Sequence, residues 1–134
     1  MYNRVPSYTF DLTTANNGPM NIENAQIQMR KGILEFCILH IISRGEVYAT
    51  NMLEELTAAR MMVVEGTLYP ILTRLKNAGL VEYKWVESPS GPPRKYYSLT
   101  ATGIASLEKL RDTWQELATS TNQIINHNQL SGLS

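Results

Sequence analysis

Residues 66–81 read GTLYPILTRLKNAGLV, and the fold turns on how this stretch is read. Leu68, Ile71, Leu72 and Leu75 recur at i, i+3, i+4 and i+7, which makes one face of a short helix apolar. Tyr69, Thr73, Arg74, Lys76 and Asn77 point elsewhere, so the helix can pack and still display a polar, partly basic face. Pro70 lacks an N–H and suits a first helical turn, which predicts a helix that begins near Thr67 or bends there. Asn77-Ala78-Gly79 then provides a residue tolerant of left-handed geometry just past the last turn, and Leu80-Val81 opens a new element. Two readings stand at this point. The helix is an ordinary amphipathic one with a solvated outer face, or it is a recognition helix whose outer face enters the major groove of DNA.

Downstream, VEYKWVE (81–87) alternates Val81, Tyr83 and Trp85 with Glu82, Lys84 and Val86, the pattern of a half-exposed strand. Ser88-Pro89-Ser90-Gly91-Pro92-Pro93 reads as a loop, and RKYYSL (94–99) as the returning strand. The result is a hairpin stiffened by three prolines and flanked by Lys84, Arg94 and Lys95. Taken alone, that hairpin is no more than a solvated loop between strands. Placed directly behind a basic helix, it has the arrangement of a winged helix-turn-helix, in which the helix reads the groove and the wing grips neighbouring phosphate. Thr100 is an expected N-cap. Beyond it, Leu107, Leu110, Trp114, Leu117, Thr121 and Ile124 recur at spacings of three and four, the signature of a helix–helix seam. Two and a half heptads are too few for an isolated coiled coil, so the stripe needs cover, and the expected cover is the same helix of a second chain. Docking onto the first helix of the same chain is the alternative, and the two are compatible.

Upstream, residues 1–19 lack a sustained period and are read as a flexible arm or a cloning remnant, and 127–134 as a flexible tail. From about Asn24 to Ser43 the pattern is helical, with Leu34, Cys37, Ile38 and Ile41 on one face. Cys37 and His40 lie three apart, the spacing of a thiol–imidazole pair, but Cys37 belongs to the apolar stripe and no oxyanion site is near, so packing is the preferred reading. Glu46 to Thr50 leads into a second helix that ends near Ala59 and buries Met52, Leu53 and Leu56, with Thr50 as N-cap. Met62-Val63-Val64 is expected to form a very short strand or to plug the core, and Met61 and Met62 to pack.

At 134 residues the chain is one domain with one core. Twelve basic and twelve acidic residues leave no net charge, although Arg30 to Arg111 holds 11 basic against 8 acidic ones. A single cysteine excludes an internal disulfide, and no run of 18 apolar residues or secretion signal is present, which predicts a cytoplasmic protein with no membrane partner. His40 and His127 have no Cys, Asp or Glu at ligand spacing, so neither metal nor cofactor is expected, and no catalytic set is found. The expected class is mainly α with a small β hairpin: a winged helix-turn-helix over 20–99 and a C-terminal dimerisation helix over 100–126.

GTLYPILTRLKNAGLV followed by GPPRKYYSLTATG resembles the PadR family of bacterial transcriptional regulators, whose pattern is GTLYP, a Leu-rich helix, GL, then RRYY-LT-x-x-G. The likeness spans about Arg30 to Trp114. It implies a winged helix-turn-helix, dimerised through the C-terminal helix, that represses transcription from an inverted-repeat operator in double-stranded DNA. By position it places Thr67, Tyr69 and Arg74 on the recognition helix, with Thr73 on the same outer face, Tyr48 and Thr50 at the preceding helix, and Lys84, Arg94 and Lys95 on the wing. Two departures stand out. Tyr48-Ala49-Thr50 replaces the usual Tyr-Gly-Tyr, and Val64-Glu65 stands where a Ser-type cap is common, putting a carboxylate at the mouth of the phosphate-binding surface. The short C-terminal helix resembles the small-bodied branch of the family, and Trp114 resembles its tryptophan that stacks on planar aromatic effectors between the two dimer helices. A tryptophan that merely fills the dimer core is the other reading. A winged-helix module that binds protein rather than DNA is the alternative function, which the zero net charge keeps open.

Overall fold

The computed structural model describes residues 21–127, so the expected arm and most of the expected tail lie outside the described residues. In chain order the elements are α1 (Ile22–Ser43), β1 (Val47–Tyr48), α2 (Ala49–Ala58), α3 (Glu65–Asn77), β2 (Val81–Ser88), β3 (Gly91–Leu99) and α4 (Ala101–Ile125). Contacts divide the chain into two units, residues 1–35 and 36–134. In the first, α1 starts two residues earlier than the periodicity predicts, because the Asn21 side-chain oxygen accepts from the Asn24 backbone N–H at 3.0 Å. Leu34 is buried there, whereas Ile22, Ile27 and Met29 are exposed.

The second unit is built on the predicted helices. Ile38, Leu39 and Ile42 of α1, Met52 and Leu56 of α2, Leu68 and Leu72 of α3, and Val81 of β2 are the fully buried side chains. Each contributes roughly 1.5–3 kcal/mol by leaving water. Cys37 is half-buried at the margin of this core rather than within it. Burial pushes its thiol pKa up, which disfavours the thiolate that a nucleophile requires.

Three expectations are corrected along the chain. The N-cap of α2 is Tyr48, not Thr50, because Val47 and Tyr48 are held extended as a third strand by pairing with Tyr97 and Tyr96. Met62-Val63-Val64 forms neither strand nor core plug: the segment is irregular, with Met62 and Val64 exposed. The proline loop is shorter than expected, since β2 and β3 pair as far as Ser88 and Gly91. Prolines 92 and 93 are tolerated in β3 because they sit at a bulge opposite Glu87, where ladder hydrogen bonds are interrupted, and beyond the reach of β1.

The sheet order is β1-β3-β2, antiparallel throughout. α3 begins at Glu65 and carries Pro70 inside it, so the Gly66 carbonyl receives no helical N–H. Its end is a Schellman turn, with Gly79 at φ +80°, the Leu80 N–H donating to the Leu75 carbonyl at 3.0 Å and the Gly79 N–H to Lys76 at 2.9 Å. That turn is joined to α4. The Thr100 hydroxyl donates to the Gly79 carbonyl at 2.6 Å and accepts from the Gly103 N–H at 2.9 Å, the cap that the sequence predicts. Gly103 lies so close to Leu80 that a Cβ there would be 2.0 Å from the Leu80 carbonyl oxygen. One joint thus sets the directions of α3, β2 and α4.

Candidate nucleic-acid interface

Leu68, Ile71, Leu72 and Leu75 bury one side of α3, as the spacing predicts, and this turns the opposite side to solvent. Thr67, Tyr69, Thr73 and Arg74 are all exposed. At 100° per residue, Gly66, Pro70 and Asn77 share the centre of that outward face. The helical period of the sequence already contains this placement.

The sheet sorts the wing cations by parity. Trp85 pairs with Lys95 and Tyr83 with Tyr97, so these four share one face, and Lys84, paired with Tyr96, is on the other. The Lys95 ammonium lies 4.4 Å from the Tyr83 ring centroid and 5.4 Å from that of Trp85. Arg94 folds back toward α2: its guanidinium stacks 3.9 Å above the Tyr48 ring and donates to the Thr50 hydroxyl at 2.7 Å. Tyr48 in turn stacks on Tyr96 at 4.6 Å. Lys84 is drawn into an exposed ion pair with Glu46 at 3.0 Å, which offsets its charge.

Tyr48, Thr50, Tyr69, Arg94 and Lys95 therefore meet at one open groove of about 260 Å³, together with Trp85. The groove runs between the start of α2, the outer side of α3 and the unpaired edge of β3. Tyr97 forms its floor, and burial, helped by the neighbouring phenols of Tyr69 and Tyr83, raises its pKa and keeps it neutral. Lys84 is not brought to this groove. Trp85 is 61% exposed on its rim, and strand periodicity alone does not mark it as part of a site.

On α4 the predicted seam separates into two parts. Leu107 is buried in the chain's own core and is not available to a partner, a correction that accompanies the close approach of α4 to the turn at Leu80 that Gly103 allows. Leu110, Trp114, Leu117, Thr121 and Ile124 remain exposed, with Ile124 at 76%. Docking onto α1 of the same chain is also present: Trp114 lies 6.5 Å from the Phe36 ring, and Arg111 is 3.3 Å from His40 Nε2. Trp114 nonetheless keeps 42% of its surface open. Among the described residues no cluster of three or more His, Cys, Asp or Glu could hold a metal, and no helix is long and apolar enough to cross a membrane.

A family model described as the transcriptional regulator PadR-like family matches residues 38–109. The chain is 33% identical over 93 residues to the transcriptional regulator Rv3488 of Mycobacterium tuberculosis, covering 68% of this chain and 84% of that protein. It is similar to the structure of a PadR-like transcription factor from Bacteroides fragilis, with 51% identity, a TM-score of 0.66, and 75% of this chain and 98% of the other covered. Its fold is also similar to that of Bacillus subtilis PadR in complex with operator DNA, at 20% identity and a TM-score of 0.54, over 58% of this chain and 45% of the other.

Proposed function

We propose that this chain, which belongs to the PadR-like family of transcriptional regulators, is a homodimeric cytoplasmic repressor that binds a pseudo-palindromic operator in double-stranded DNA. Residues 20–99 are the DNA-binding part and residues 100–126 the dimerisation helix. The observation that carries the reading is the continuity of two surfaces: the exposed side of α3, with Thr67, Tyr69, Thr73 and Arg74, runs into the groove where Arg94 and Lys95 meet Tyr48 and Thr50. The fold shared with a protein crystallised on operator DNA supports it. α3 enters the major groove while Arg94 and Lys95 take the adjacent phosphates, and two copies present their α3 helices about 34 Å apart. Lys84, paired with Glu46, contributes less than the other wing cations.

The test is mobility of a duplex taken from upstream of the chain's own gene, measured across salt concentrations. Replacing Arg94 and Lys95 by alanine together should weaken binding to every sequence and reduce the log–log salt slope by about two, since each neutralised phosphate contributes about 0.9. An unchanged slope counts against the phosphate role. A wild-type chain that ignores duplex DNA at low salt would instead select the protein-binding winged helix that the zero net charge leaves open.

Release by a planar aromatic effector belongs to the same proposal. Trp114, open on α4 beside Phe36, is the stacking residue, and such compounds should quench its emission. Quenching that persists in Trp114→Phe, where Trp85 is the remaining emitter, removes the effector from the scheme.

A further inference from the structure

We propose that Trp85 is a DNA-contacting residue of the wing, packing its indole against the deoxyribose of the strand that borders α3; this rests on the DNA-binding reading above. Trp85 is held in place from within the sheet. Tyr83 meets it edge-on at 6.0 Å and 86°, and Lys95, its cross-strand partner, sets an ammonium 5.4 Å from its ring. An indole ordered in this way and still 61% exposed has lost rotamer freedom without hiding its apolar surface. A partner that covers it gains the area without that ordering cost.

The surroundings specify the partner. Trp85 shares its groove with Tyr69 of α3, and Arg94 and Lys95 stand on the groove's wing side, while none of the lining residues is acidic. A helix seated in a major groove has a sugar–phosphate strand as its wall, so the strand flanking α3 must run through this groove. That strand alternates anionic phosphate with apolar sugar. The two cations match the first, and the indole matches the second.

The test uses the full-length chain, a duplex of about 30 base pairs from upstream of its gene, and a random duplex of the same length. Trp85→Ala should raise Kd about tenfold on both duplexes with the salt slope unchanged, because an apolar contact releases no counterion. Trp85→Phe should stay within about threefold. With 5-fluorotryptophan incorporated, the two tryptophans give two fluorine resonances, and the one absent from Trp85→Phe should shift when either duplex is added. A Trp85 resonance that does not move in a demonstrated complex overturns the proposal, as does an alanine variant within twofold of wild type. A lowered salt slope in Trp85→Ala also overturns it, by showing that the indole serves only to hold Lys95. Loss of all DNA binding by the wild-type chain, in contrast, removes the underlying DNA reading.

Discussion

Gly103 illustrates how a single absent carbon positions several elements. Its backbone touches the turn at Leu80 so closely that alanine would place Cβ 2.0 Å from a carbonyl oxygen, and backbone, unlike a long side chain, has little room to yield. Gly103→Ala is therefore expected to destabilise the fold by about 3 kcal/mol, measured by urea unfolding, because α4 must lift away from the end of α3. A loss under about 1 kcal/mol would mean that the joint is slack. Thr100 works at the same place by donating to one element and accepting from another, which links α4's first turn to Gly79. Arg94 shows residue-scale organisation of a different kind. Its guanidinium is spread on Tyr48 and tied to Thr50, so the charge is held in a fixed position rather than swinging free in solvent.

At the scale of elements, α2 and α3 end in the same way with different chemistry. α3 closes on Gly79 in the left-handed region, whereas α2 closes on Arg60 at φ +67°, with the Met61 N–H returning to the Leu56 carbonyl at 2.8 Å. A side chain in that conformation is strained where glycine is not. Arg60→Gly should stabilise the chain by about 1 kcal/mol, visible as a rise in Tm, since relief of strain outweighs the extra freedom of the unfolded glycine. A fall in Tm would show that the Arg60 side chain earns its conformation through contacts. The wing manages its open edge as exposed strands generally do: Pro92, Pro93, Arg94 and Lys95 occupy the part of β3 that β1 leaves unpaired, discouraging pairing with other strands.

At the scale of the molecule, α4 is long relative to what covers it. Leu110, Trp114, Leu117 and Ile124 form an exposed apolar stripe extending well beyond the contacts at Phe36 and His40, more than an unaccompanied helix ordinarily leaves in water. If a second α4 is the cover, replacing Leu117 and Ile124 together by glutamate buries carboxylates in the seam. The cost of about 3 kcal/mol or more corresponds to at least about a 100-fold weaker dimer. Sedimentation at micromolar concentration should then move from dimer to monomer, and DNA affinity should fall with it because two half-sites are no longer joined. A double variant that still sediments as a dimer would place the interface elsewhere.

What was legible in the sequence was carried by period and punctuation, though neither the Thr50 cap nor the full proline loop held. The helical faces of α1, α2 and α3, the β2–β3 hairpin, the Gly79 stop and the Thr100 cap follow from local spacing and local stereochemistry, which act within a few residues of each other. The pairing of Val47-Tyr48 with β3 did not follow, because a two-residue strand has no period and exists only through a partner some fifty residues away. The same holds for the site. That Tyr69, Arg94 and Lys95 are polar, basic or aromatic and stand on a helix and on the hairpin directly after it was readable. That Lys84 is turned away to Glu46, that Arg94 folds onto Tyr48, and that Leu107 belongs to the core while Leu110 does not were decided by strand register and by the close approach at Gly103. Register and packing depth depend on contacts distant in sequence, and only the folded chain brings those contacts together.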